Sequence, residues 1–288
     1  MNNTTTNSLD HWKDFELIDS GDGSKLERWG SFYLIRPESA AIWKPQMNIS
    51  KWKKMAHAIF EYNNKRTGIW KKLKEMPNDW QVNYNLGKHV LSFSIELTRF
   101  KHVGLFPEQS QNWDYIVSRL DGLNQPKVLN LFAYTGGASL AAKATGAHVT
   151  HVDAIKQVIT WSSKNMKLSN LDNIRWIVDD ALKFAKKENK RESRYDMIIL
   201  DPPTWGLGPK GEKWKLEDKI HELLAAVKGI AKDDATIIIN TYSGLTPVIM
   251  ENLAKNYFSK AKIDSTELLL PSKTGVNLPT GTVLRIER

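Results

Sequence analysis

The hexapeptide Asp201-Pro202-Pro203-Thr204-Trp205-Gly206 gathers several chemically useful groups in one turn. It follows a strand predicted over Tyr195 to Asp201, whose Met197-Ile198-Ile199-Leu200 run is apolar throughout. A strand apolar on both faces belongs in a parallel sheet covered by helices, so the hexapeptide sits at that sheet's C-terminal edge. Its two prolines stiffen the turn and remove two backbone donors, leaving carbonyls to accept. An aspartate beside such a carbonyl can hold the amino edge of a base, and an aromatic ring can stack on it. Asp201, Pro202, Pro203 and Trp205 are therefore the candidate catalytic residues. The bland alternative is an ordinary Pro-Pro turn.

Three further motifs lie at the ends of predicted strands. Asn130-Leu131-Phe132-Ala133-Tyr134-Thr135-Gly136-Gly137-Ala138-Ser139 closes one strand and opens a helix. Small residues there let a ligand approach the outward-pointing amides of a helix N-terminus. The pattern is not G-x-G-x-x-G, which disfavours a nicotinamide cofactor. Asp153, about twenty residues on, ends the next strand and can accept from both hydroxyls of a ribose. Capping of the helix after it is the competing role. Asp179 and Asp180 end the third strand, where a carboxylate can accept from an adenine amine while its neighbour caps a helix.

The elements that must position these motifs change character near residue 120. Before it lie short apolar runs with turn signals, with strands predicted over Ser31 to Ile35 and Val90 to Leu97. A helix is predicted over Asn48 to Tyr62, capped by Ser50. Asp121 to Pro126 reads as a linker, dividing the chain into a small α+β domain (1–120) and an α/β domain (121–288). In the second, strands are predicted over Val128 to Phe132, His148 to Asp153, Ile174 to Val178, Tyr195 to Asp201 and Ala235 to Asn240. Helices alternate with them, and two closing strands fit Ala261 to Leu270 and Gly281 to Glu287. The alternation specifies a doubly wound α/β sheet.

Composition excludes several classes. The 288 residues contain no cysteine, so disulfides, thiolate metal sites and cysteine nucleophiles are ruled out, and no metal site is expected. No apolar stretch is long enough to span a membrane, and Met1 to Leu9 lack a signal-peptide core, which makes the cytoplasm the expected compartment. A formal charge of +9 points to a polyanionic partner. Two basic stretches could contact phosphates: Lys51 to Lys74, and Lys210, Lys213 and Lys215 around Trp214. Of the eleven tryptophans, Trp12, Trp29, Trp43, Trp52, Trp70 and Trp80 could stack on exposed bases, but most of them read as packing for a small N-terminal module.

Together these motifs resemble the S-adenosylmethionine (SAM)-dependent methyltransferase family. That family includes the bacterial large-subunit rRNA cytosine-C5 methyltransferase and the guanine-N7 methyltransferase half of a bifunctional rRNA enzyme. Asn130 to Gly137 is similar to its cofactor loop, and Gly104 to Gln109 to its Gly-x-Phe-x-x-Gln element. Asp201-Pro202-Pro203-Thr204-Trp205 is closest to the guanine-N7 version of its Asp-Pro-Pro loop. The resemblance covers about residues 90 to 288. It implies a seven-stranded Rossmann-like sheet ending in a hairpin, with a smaller β-rich N-terminal domain. It implies SAM as cofactor, held by Gln109, Phe132, Tyr134, Thr135, Gly136, Gly137, Asp153, Asp179 and Asp180, and RNA, rRNA first, as partner.

One departure is chemical. Where cytosine-C5 enzymes place a cysteine after the fifth strand, this chain has Thr241-Tyr242-Ser243. Thiolate attack on a pyrimidine ring is excluded, and a nitrogen acceptor, whose lone pair needs no covalent intermediate, is expected instead. The segment before about Leu86 does not resemble the family's usual RNA-binding PUA domain. A protein or small-molecule acceptor, or a non-catalytic RNA-binding module, are the alternatives.

Overall fold

The computed structural model describes residues 11–64, 67–207, 211, 213–242 and 244–288. By internal contacts the chain forms two units, Met1–Gln111 with Leu269–Thr280, and Asn112–Leu268 with Gly281–Arg288. The parting lies within a helix, α2 (Ser110–Leu120), and not in the Asp121 to Pro126 segment.

The first unit is built on a sheet of β1 (Phe15–Gly21), β2 (Ser24–Trp29), β3 (Phe32–Pro37), β4 (Ala58–Tyr62) and β5 (Gly68–Lys72), in that order. A separate hairpin joins β6 (Asp79–Leu86) to β7 (His89–Glu96). The helix expected over Asn48 to Tyr62 is corrected to a short one, α1 (Ile49–Met55), followed by β4. Asn48 is the cap, its side chain accepting from Ser50 N at 2.8 Å. At Ala56 the backbone turns extended, with ψ 140°. From Ala58 pairing with both β3 and β5 buries Ala58 and Phe60 on one face, a period-2 pattern that a short apolar run does not distinguish from a helical one.

Most of the tryptophans in this unit do pack it. Trp12, Trp29 and Trp52 are buried. The indoles of Trp43, Trp70 and Trp80 donate to the carbonyls of Ser20, Thr98 and Trp29. Two polar knots complete the core. The buried Asp19 accepts from Met47 N at 2.7 Å, Trp52 Nε1 at 3.2 Å and Thr274 Oγ1 at 2.9 Å. Arg36 grips the buried Glu27 with two bonds of 2.7 and 2.9 Å. Burial would raise the Glu27 carboxyl, but the Arg36 and Lys25 charges overcome it and hold its pKa at about 2. The Lys51 to Lys74 stretch presents exposed lysines on α1, β5 and the segment after it; its Lys65 and Arg66 lie outside the described residues.

The second unit carries the doubly wound sheet. Its parallel strands are β8 (Lys127–Leu131), β9 (His148–Asp153), β10 (Arg175–Val178), β11 (Tyr195–Leu200) and β14 (Ala231–Thr241). Helices α3 (Gly137–Ala144), α4 (Lys156–Leu168), α5 (Ala181–Lys190) and α6 (Leu216–Ile230) link them, and α7 (Pro247–Tyr257) follows β14. The closing strands are β15 (Lys262–Pro271) and β16 (Asn277–Glu287), with β16 antiparallel to β14. The order β10-β9-β8-β11-β14-β16-β15 is the expected seven-stranded sheet. Its central strands bury Leu129, Leu131, Ile198, Leu200, Ile237 and Ile239 under the helices, which is why they read as apolar runs. The chain winds outward from β8 through β10, then crosses back to β11, so the order reverses between β8 and β11. Open α/β sheets bind ligands at such a reversal, beyond the strands' C-terminal ends. A further hairpin, β12 (Trp205–Leu207) with β13 (Lys213–Lys215), was not expected from the sequence.

Candidate active site at the strand-order reversal

The loop after β8 is forced into an unusual path. Phe132 and Tyr134 have φ of 56° and 48°, and Gly136 has φ of 93°. Positive φ is unfavourable for side-chain-bearing residues, and such strain clusters at functional sites. Gly136 supplies the conformation without strain, whereas Gly137 answers a different need. A Cβ on Gly137 would lie 2.5 Å from Trp113 Cζ2, so the first turn of α3 packs directly on the α2 indole.

What holds this loop is a buried polar relay that the sequence reading missed. Asn130 Nδ2 donates to Ser139 Oγ at 2.9 Å, and Ser139 Oγ lies 3.0 Å from His151 Nδ1. On the other side of the ring, His151 Nε2 is 3.4 Å from Ser162 Oγ, which donates to Tyr134 O at 2.7 Å. A neutral imidazole protonated on Nε2 satisfies every member. Burial enforces that state, holding the His151 pKa down at about 3. Asn165 Nδ2 adds a bond to Thr135 O at 3.0 Å. The available signal was Asn130 and His151, each adjoining an apolar residue in a strand of the central sheet, since buried polar groups require partners.

Asp153 ends β9 beside this loop. Its carboxylate accepts from Tyr134 N at 3.0 Å and Ile155 N at 2.9 Å. Burial pushes its pKa up, opposed by those backbone N–H groups. It does not cap α4, whose N-cap is Ile155. Of the acidic pair after β10, Asp180 is the helix cap, accepting from Lys183 N at 2.8 Å. Asp179 accepts from Asp180 N at 2.9 Å and pairs with Lys187 at 2.7 Å.

The Asp201 turn follows β11, next to β8 in the sheet. Asp201 N donates to Leu131 O at 3.3 Å, so the two loops spring from adjoining strand ends. The Tyr242 hydroxyl, one residue past β14, donates to Asp201 Oδ2 at 3.3 Å. Gly281 makes room for this, because a Cβ there would meet Thr241 O at 2.5 Å and Tyr242 Cδ1 at 3.3 Å. Tyr242 belongs to the Thr241-Tyr242-Ser243 segment at the end of β14; Ser243 lies outside the described residues.

The Pro203 carbonyl accepts the Trp214 indole N–H at 2.6 Å. Trp214, set among lysines in the sequence, turns inward, its ring 5.1 Å from that of Phe132. Trp205 is the exposed aromatic, at 47%. Lys210 lies outside the described residues. Gln109 ends a 3-10 turn (Pro107–Gln109), is buried, and belongs to the first unit; the other candidates belong to the second.

The arrangement puts a carboxylate suited to diol recognition, a strained loop opening a helix, and an Asp-Pro-Pro turn at neighbouring strand ends. Among the described residues no cluster of three His, Asp or Glu side chains could hold a metal ion, and no helix is long and apolar enough to cross a membrane.

Comparison with known proteins agrees with this geometry. A SAM-dependent methyltransferase from Agrobacterium tumefaciens is 37% identical, with a TM-score of 0.89 over 96% of this chain and 91% of that one. SMU.776, solved in complex with SAH, superposes with a TM-score of 0.75 over 96% of this chain and 76% of that one; at 22% identity this shows the fold alone. The ribosomal RNA large subunit methyltransferase K/L of Buchnera aphidicola is 32% identical over 155 residues, which is 52% of this chain but only 21% of that protein. The chain therefore spans about a fifth of the length of such relatives. The profile of the S-adenosylmethionine-dependent methyltransferase family matches residues 36–229, and this chain belongs to that family, as a SAM-dependent methyltransferase.

Proposed function

We propose that this methyltransferase acts on a nucleobase nitrogen in RNA, with ribosomal RNA as the first substrate to try. The observation that carries the reading is the adjacency of the Phe132 to Gly137 loop and the Asp201 turn at the reversal between β8 and β11. That adjacency suits a cofactor on one loop and an acceptor on the other. The composition of this chain points to a nitrogen acceptor, since without cysteine no thiolate can activate a pyrimidine carbon. This favours the guanine-N7 side of the subgroup that the Asp-Pro-Pro-Thr-Trp turn resembles. The K/L relatives are named for ribosomal RNA, and the charge of +9 suits a polyanion. The cytoplasm is the compartment consistent with such a substrate.

The residues present fit SAM. An ionised carboxylate has about four lone-pair sites, and Asp153 accepts from the backbone N–H groups of Tyr134, Ile155 and Ala154, leaving room for a ribose hydroxyl. Asp180 commits one oxygen to its cap, which is compatible with a bond from an adenine amine, and Asp179 stands beside it. Phe132, Tyr134, Thr135, Gly136 and Gly137 make up the loop, and Gln109 is the further residue that the family resemblance implies. When bound, SAM supplies a methyl group on a cationic sulfur, open to attack by a lone pair. Asp201 accepts from the base's amino edge and fixes its orientation, with Tyr242 holding the carboxylate. Pro202 and Pro203 stiffen the turn, and Trp205 offers a stacking face. Of the two domains predicted from the sequence, residues 121–288 catalyse and residues 1–120 contribute to RNA recognition.

The test is transfer of labelled methyl from SAM to rRNA from cells lacking this protein, offered both naked and as assembled subunits. A single labelled purine, located by nucleoside mass spectrometry, is the expected product. Transfer to a tRNA, protein or small molecule, with both rRNA forms unlabelled, would overturn the substrate assignment.

A further inference from the structure

We infer that the β12–β13 hairpin is a two-faced clamp whose outer face binds single-stranded RNA beside the acceptor base, Trp205 stacking and Lys213 and Lys215 taking phosphates. The inference rests on the RNA reading above and adds where the strand is gripped. In an antiparallel ladder directly opposed residues share a face, and successive residues alternate. Trp205 is opposite Lys215, and Gly206 is opposite Trp214. Trp205, Lys213 and Lys215 therefore lie on one face and Trp214 on the other.

The two faces have opposite chemistry. Trp214 is turned inward, bonded to Pro203 O and packed near Phe132, so it anchors the hairpin to the two loops of the active site. The outer face carries Trp205 at 47% exposure with exposed lysines beside and diagonal to it. An exposed indole flanked by ammonium groups matches a nucleotide, with a π-face for the base and cations for its phosphates. Lys215 lies 3.9 Å from Asp218, with both side chains exposed, and a pair of that kind is weak enough to yield to a phosphate. Trp205 directly follows the Asp201 turn by four residues, so a base on it is adjacent to the acceptor position.

The experiment measures binding of a single-stranded rRNA fragment that the wild-type enzyme methylates, as a function of salt. Each phosphate contact to a single strand contributes about 0.7 to the log–log salt slope, so K213A/K215A flattens it by about 1.4. Its affinity falls by about tenfold at low salt. W205A weakens binding without changing the slope. A control removing the same charge elsewhere on the unit, K228A/K260A, retains the wild-type slope, and thermal melts establish that all variants fold. An unchanged slope in K213A/K215A, or equal flattening in the control, overturns the inference while leaving RNA methylation standing. A wild-type enzyme that neither binds nor labels RNA overturns both.

Discussion

The Trp214 indole donates to Pro203 O at 2.6 Å while its ring lies 5.1 Å from that of Phe132. One side chain thus braces the proposed acceptor turn against the proposed cofactor loop. In W214F the ring contact survives and the bond is lost. A typical hydrogen bond contributes about 1 kcal/mol, so kcat should fall about fivefold with SAM affinity nearly unchanged. W214A should lose both and fall further. Equal activity in wild type and W214F would show that the brace is idle.

Asp201 and Tyr242 separate chemistry from positioning. D201A should abolish methyl transfer while SAM binding, followed by calorimetry, stays within about twofold. Y242F removes the 3.3 Å bond to Asp201 and should lower kcat by about tenfold, with KM for SAM unmoved. Full activity in D201A would remove the aspartate from the mechanism.

His151 links stability to pH. Its pKa is about 3 when folded against 6.5 in the reference state, so below pH 6.5 the unfolded chain binds a proton that the folded chain refuses. The stabilising preference is complete above pH 6.5 and is lost as pH falls toward 3, at up to about 1.4 kcal/mol per pH unit. The melting temperature of the wild type should drop more steeply from pH 6.5 to 5 than that of H151N. Parallel curves would mean that His151 titrates normally.

Gly137 sets two known effects against each other. Glycine to alanine inside a helix ordinarily stabilises by roughly 0.5–1 kcal/mol. Here the new methyl would sit 2.5 Å from Trp113, and overpacking costs about 1–3 kcal/mol. G137A should be destabilised in denaturant titrations, and W113L should recover part of the loss in the double variant. A stabilised G137A would show that α2 yields freely.

Much of this site was legible because its motifs are local. Asp153, Asp201 and the glycine loop each lie at the C-terminal end of a predicted strand, and the two periods of strand and helix place them at one sheet edge without knowledge of the packing. The Asn48 to Tyr62 segment failed for the same reason in reverse. Seven helical residues and five strand residues are too few for either period to declare itself, and pairing with β3 and β5 decided the outcome. Trp214 and Trp205 were indistinguishable as sequence. Which one turns inward depends on the β12–β13 register, a relation between residues about ten positions apart.

The sequence by itself determined the fold class, the four loops and the lack of a thiol, because strand–helix alternation and composition require no long-range contact. Tertiary structure alone decided that Tyr242 reaches Asp201, and that Leu269–Thr280 belongs with the first unit. It also decided that His151 joins Ser139 to Ser162. Each of these is a hydrogen bond or a contact between groups that chain closure brings together, and the periodicity of a segment carries no record of what will lie across from it.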